Sequence, residues 1–137
     1  VWKIYYELQI PMLLGYKKVF KNIETFHIFG TCVVNQHLRS QKLVKSKLQR
    51  SEFIKKIYSD KNIQGVNAMS ISEITGIPRA TVVRKLKELV KNNTLSIDDK
   101  KHYKLTGNFI KELVPVQNIV INQLANFSTK IFNLAIL

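Results

Sequence analysis

Arg79, Arg84 and Lys87 crowd one short segment of this 137-residue chain, and Lys100-Lys101 follow it after a turn-rich stretch. A guanidinium presents its donors in a fixed fork that suits paired acceptors, and an ammonium serves as a point charge for phosphate. Together they point to binding of a polyanion. Other chemistries are poorly served. There is no Gly-rich phosphate loop, no pair of carboxylates in an apolar setting and no nucleophile elbow, so an enzyme is not expected. Neither a metal site nor a cofactor is expected, and His27, His37 and His102 read as packing or surface residues. The single cysteine, Cys32, excludes an intramolecular disulfide, suits a reducing cytoplasm and reads as a small buried hydrophobe.

The charge distribution says more than its total. The net charge is +13, from 22 basic and 9 acidic residues. Residues 39–61 carry +6 of it and residues 79–104 carry +5, on either side of a nearly uncharged stretch, while both ends of the chain are apolar. This predicts a basic working module in the centre with hydrophobic packing or pairing elements outside it. Trp2–Leu14 has no clean period and contains Pro11, so it reads as irregular or a short helix. Tyr16, Val19, Phe20, Ile23, Phe26, Gly30, Val33, Val34 and Leu38 recur in steps of mostly three and four, predicting one long helix with Gly30 at a close helix contact. Lys42–Tyr58 continues that pattern through Leu43, Val44 and Leu48, and Ser51 is positioned to cap a short helix Glu52–Ser59, with Gly65 among its terminators.

The centre is more explicit. Asn67 can cap a helix that runs to about Thr75, and Gly76 supplies a residue without Cβ where a left-handed turn is needed. Ile77-Pro78 restarts the chain, with proline suited to a first helical turn. Arg79–Asn92 then places Val82, Leu86, Leu89 and Val90 on one face and Arg79, Val83, Arg84, Lys87 and Lys91 away from it, with Lys85 read as solvated. Leu95–Ile97 and His102–Leu105 flank Asp98-Asp99-Lys100-Lys101 as a short hairpin whose aspartates form the turn.

Helix, glycine turn, second helix and hairpin resembles the winged helix-turn-helix superfamily of bacterial transcription regulators, on Ile71, Ser72, Gly76, Ile77, Val82 and an opening Arg79-x-Thr81-Val82. Ser72 departs from the commoner alanine, and its hydroxyl is expected to bond a carbonyl one turn back. The resemblance spans about residues 51–106. It implies a mainly α fold with a small β-hairpin wing, flanked by N- and C-terminal helices. It also implies a sequence-specific double-stranded DNA-binding regulator, with the Arg79–Asn92 helix in the major groove. The expected contacts are Ser70 (phosphate at a helix start), Pro78, Arg79 and Arg84 (guanine or phosphate), Ala80 and Thr81 (close approach), Val83 (thymine methyl), Lys87 (phosphate), and Lys100 and Lys101 at the wing. The rival from a different class is a nonspecific nucleic-acid-binding architectural or interaction module.

Three divisions follow: 1–50 helical, 51–106 DNA-binding, and 107–137 an apolar helix. In the last, Pro115 opens a stripe of Val116, Val120, Leu124, Phe127, Ile131 and Leu134, widened by Ile119, Ala125 and Phe132, for core packing or for a homodimer. Its five amides between Leu113 and Thr129 exclude a membrane span, leaving only an interfacial contact as the lesser alternative. Aromatic residues of Trp2–Tyr16 and Phe20–Phe29 read first as filling a dimer core and, as the lesser alternative, as lining a pocket for a small hydrophobic effector at the junction of the terminal helices. Val1–Gly15 shows no targeting pattern, and the absence of an initial methionine leads one to expect residues before Val1. A cytoplasmic, nucleoid-associated protein is the sum of these expectations.

Overall fold

The computed structural model describes residues 1–40 and 49–136. It is mainly helical, with a small three-stranded antiparallel sheet. The elements are α1 (Trp2–Phe20), α2 (Ile23–Arg39), α3 (Arg50–Ser59), β1 (Val66–Asn67), α4 (Ala68–Thr75), α5 (Arg79–Lys91), β2 (Leu95–Ile97), β3 (His102–Leu105) and α6 (Ile110–Ile136). They form two compact units, one of Val1–Ile23 with Ile110–Leu137 and one of Glu24–Phe109. These boundaries differ from the division at 50 and 106 read from sequence. Most of α2 belongs with the central elements, and the two chain ends form one unit together.

The first unit is an antiparallel helix pair. Gly15 of α1 meets Val116 of α6, and Glu7 of α1 accepts an ion-paired hydrogen bond from Lys130 at 2.6 Å. A Cβ at Gly15 would lie 3.3 Å from a Val116 methyl, so glycine lets the helices approach closely there. Trp2–Leu14 is therefore helical rather than irregular, because packing on α6 stabilises a helix that propensity and Pro11 leave marginal. Pro115 lies inside α6 instead of opening it, with the loss of one backbone bond. The single helix expected over Tyr16–Leu38 is interrupted at Lys21, whose φ is +65°.

In the central unit the core consists of Ile28, Phe29, Cys32, Ile57, Ile63, Val66, Ile71, Ile77, Val82, Leu86, Leu89, Leu95, Tyr103 and Leu105. The face of α2 turned into that core carries Thr25, Ile28, Phe29, Cys32 and Gln36, which is not the stripe the sequence suggested. Val34 and Leu38 of that stripe are 58% and 59% exposed. A polar residue joins the core instead. Gln36, only 1% exposed, donates from Nε2 to the Ile57 carbonyl (3.1 Å) and accepts the Leu105 N–H at Oε1 (2.9 Å). One amide thus ties α2 to α3 and β3 with its polar atoms satisfied. Cys32 is buried on the same face, and burial pushes its thiol up to about 12.

The helix expected at Glu52–Ser59 begins earlier, at Arg50 after Gln49, so Ser51 sits within its first turn rather than at the cap. The Leu43, Val44 and Leu48 part of that reading lies outside the described residues. The sheet order is β1-β3-β2, with Val66 opposite Tyr103 and Leu95 opposite Leu105. The hairpin is where the sequence placed it. Strand β1 is an addition to the expected hairpin, and its approach makes Gly65 a close contact with the Tyr103 backbone rather than a helix terminator. Among the described residues no helix is long and apolar enough to cross a membrane.

Candidate nucleic-acid interface

Local chemistry sets the α4–α5 geometry. The Asn67 side chain accepts the Ser70 N–H at 2.8 Å, capping α4. Gly76 adopts φ +71°, and its N–H closes on the Ser72 carbonyl at 2.9 Å. The Ser72 hydroxyl bonds forward to the Ile77 carbonyl (2.7 Å), not one turn back, while Thr75 Oγ1 donates to Ile71 O and accepts the Ile77 N–H. The turn is thereby cross-linked from both sides. Pro78 caps α5 from just outside its first turn.

At 100° per residue, Val82, Leu86 and Leu89 anchor α5 in the core while Arg79, Val83 and Lys87 share the adjoining flank. Lys85 is on the core side: it is 8% exposed, with its stem buried and its ammonium 3.9 Å from Glu88, so the solvated position expected for it is corrected. The Arg79 flank faces the hairpin across an open groove of about 530 Å³. Arg79, Val83 and Lys87 line one side, Lys100 and Lys101 the other, and Tyr103, Ile97 and the Asn67–Met69 segment the rest. Among the described residues no carboxylate lines it.

The hairpin tip is held by Asp98. Its Oδ1 accepts the N–H groups of Lys100 and His102, each at 2.9 Å, and Lys101 takes φ +59° so that its N–H can reach the Asp98 carbonyl (3.0 Å). Asp98 is a turn former, as the sequence suggested, and Asp99 stands in the turn beside it. The backbone N–H groups of His102, first, and of Lys100 hold the Asp98 carboxyl below its ordinary value of 3.8. His102 itself is fixed from behind. Arg39 donates to Gln64 Oε1 (3.0 Å), so Gln64 donates its Nε2–H to His102 Nε2 (3.2 Å). That leaves Nδ1 as the ring N–H, 3.5 Å from Asp98 Oδ2, an electrostatic contact rather than an aligned hydrogen bond. Because the folded carboxyl is the stronger acid, its stabilising contribution is full above pH 3.8 and disappears as pH falls through the depressed value. Asp98→Ala is accordingly expected to speed hydrogen exchange of the Lys100 and His102 amides while leaving the α5 amides unchanged. Equal exchange at the tip in the two proteins would show that the turn holds itself without the carboxylate.

The ten expected contact residues divide. Arg79, Val83, Lys87, Lys100 and Lys101 converge on the groove. Ser70, Pro78, Ala80, Thr81 and Arg84 are not among the residues lining it. The Ser70 N–H is already used by the Asn67 cap, so that one N–H is engaged within the chain. Arg84 lies on the outer face and pairs with Glu88 at 3.3 Å. Pro78 and Ala80 are exposed and Thr81 is half-buried. The sequence reading missed Asn67, Met69, Ile97 and Tyr103. Alternation along the hairpin marks Ile97 and Tyr103 as inward candidates, whereas Met69 carries no such signal. Lys104, also in the hairpin, is engaged with the Asp60 carbonyl.

A second, apolar groove of about 510 Å³ runs along the outer face of α2, lined by Phe26, Gly30, Val34 and Leu38 with Ile74 and Thr75 of α4. Gly30, expected at a close helix contact, has nothing within 4 Å of where its Cβ would be. The outward stripe of α2 therefore shapes a groove instead of a core. Among the described residues no group of three or more His, Cys, Asp and Glu could hold a metal ion. Compared with protein-family models, curated proteins and solved structures, the chain matches none.

Proposed function

We propose that the central unit is a winged helix-turn-helix that binds double-stranded DNA sequence-specifically, as a transcription regulator does, with α5 in the major groove and the β2–β3 hairpin against the adjacent backbone. The observation that carries this reading is the carboxylate-free groove in which Arg79 and Lys87 of α5 face Lys100 and Lys101 of the hairpin. In it Arg79, at the N-terminal end of the helix, reads a base edge, and Val83 contacts a thymine methyl. Lys87 and the two hairpin lysines hold phosphates. Arg84, on the outer face, serves at most as a further phosphate contact. The fixed backbone of the tip supports this role, since only the lysine side chains are then left to be ordered on binding.

The test is a salt titration of binding to a duplex selected from a random library. Three lysines on phosphates would give log K against log salt a slope of about −2.7, or about −3.6 with Arg84 as a fourth phosphate contact, and a regulator should prefer its selected site by roughly 10³-fold or more. The slope without the preference would favour the nonspecific architectural module. Neither slope nor preference would end the nucleic-acid reading.

A further inference from the structure

The helix pair of the first unit buries only one side of each helix. Ile4, Leu8, Met12, Gly15 and Val19 of α1 meet Val116, Val120, Phe127 and Ile131 of α6 in the shared seam, and all of them are buried or half-buried. That seam takes up part of the stripe the sequence offered for core packing or a homodimer, Val116, Val120, Phe127 and Ile131, from the same chain, and leaves Ile119, Leu124, Ala125, Phe132 and Leu134 of it exposed. A second apolar stripe remains outside it. Trp2, Tyr6 and Leu13 of α1 and Ile121, Leu124 and Phe132 of α6 are all exposed, from 45% for Leu124 to 73% for Trp2.

Helix geometry decides whether the two outer stripes share a face. With the buried side of each helix pointing at its partner, the ~100° step per residue carries Tyr6 and Leu13 roughly 110° round α1. It carries Ile121 and Phe132 roughly 110° round α6 in the same sense of numbering. Because the helices run antiparallel, equal rotations bring both stripes to the same side of the pair. Glu7 and Lys130 rotate the opposite way on their helices, and their 2.6 Å ion pair marks the other side. Ile119 falls on that other side as well. The result is an apolar face of two helices with an ion pair on its back.

We infer that this face pairs with the same face of a second copy of the chain, giving a two-fold dimer whose contact is a four-helix layer built from two α1–α6 pairs. Three features select that occupant. The shared length of the pair is about 28 Å and its width about 20 Å, so the face offers roughly 600 Å². That is near the ~800 Å² per partner of a stable interface, and at the upper limit of what a soluble monomer leaves exposed. The six side chains carry no charge, so the face does not repel its own image, as a two-fold contact requires. Trp2, Tyr6 and Phe132 are large aromatics of the kind that anchor interfaces, and Trp2 already stacks edge-on to Tyr5 at 6.0 Å and lies 6.4 Å from Tyr6. The inference does not depend on the DNA reading, although two linked copies would present two α5 helices.

Analytical ultracentrifugation of the full chain at about 50 µM tests it, with Ile121→Lys and Ile119→Lys as paired variants and helicity by circular dichroism as the folding control. The expected result is a dimer for the parent chain and for Ile119→Lys, and self-association weakened at least ~100-fold for Ile121→Lys with helicity retained. If Ile121→Lys loses helicity, Phe132→Lys replaces it, since Phe132 is 64% exposed and outside the seam. A monomeric parent chain would overturn the inference, as would equal dissociation by Ile119→Lys. Sedimentation of a monomeric chain with phosphatidylglycerol vesicles would assign the face to a lipid surface instead.

Discussion

Arg79→Ala is expected to weaken binding to a selected duplex by about 1–3 kcal/mol, roughly 5- to 150-fold, and to flatten sequence preference at one base position. Arg84→Ala is expected to do much less, although the two arginines are indistinguishable by residue type. The difference is positional. Arg79 shares a groove with Lys87, Lys100 and Lys101, whereas Arg84 sits roughly 140° further round α5 with its guanidinium on Glu88. That pair is solvent-exposed and worth little in itself, so Arg84 can turn to a phosphate but is not aimed at a base. Its loss should reduce affinity alike on every sequence and take about one unit from the salt slope. Competition binding against single-base variants of the selected site separates the two outcomes. A larger loss of preference from Arg84→Ala than from Arg79→Ala would show that the outer face of α5, not the groove, reads the bases.

Gly65→Ala should destabilise the central unit by about 2–3 kcal/mol, a large fraction of the margin by which a domain is folded. A Cβ there would stand 2.2 Å from the Tyr103 carbonyl oxygen and 2.6 Å from its carbon. Backbone cannot swing aside as a flexible side chain does, so β1 must part from β3. The damage would spread in two directions. Val66 and Asn67 pair with Tyr103 and His102, and Asn67 is also the cap of α4. The hairpin that carries Lys100 and Lys101 would lose its neighbouring strand. Urea unfolding gives the magnitude, and the Val66 and Tyr103 amide resonances report the local separation. A change under about 0.5 kcal/mol, within the range of ordinary surface substitutions, would mean that β1 does not hold the sheet.

Much of the centre is legible in the sequence because its determinants act within a few residues. The Asn67 cap, the left-handed Gly76, the span of α5 and the Asp98 turn each follow from backbone groups and side chains close along the chain, and each is found as read. The apolar face of α5 is legible too, apart from Lys85, whose buried stem shows that residue type alone misassigns a long amphipathic side chain. What tertiary structure alone decided is which of two credible faces becomes core. In α2 the more hydrophobic stripe, with Phe26, Val34 and Leu38, is left outside, and the face with Gln36 goes in. That choice is possible only because Ile57 and Leu105, 21 and 69 residues away, satisfy the amide. In the terminal helices the stripe at Val116, Val120, Phe127 and Ile131 suits a second copy equally well, and α1 of the same chain takes it. Periodicity reports that a face is apolar, but the burial of polar groups and the pairing of helices depend on partners far along the chain, and those only the folded molecule brings together.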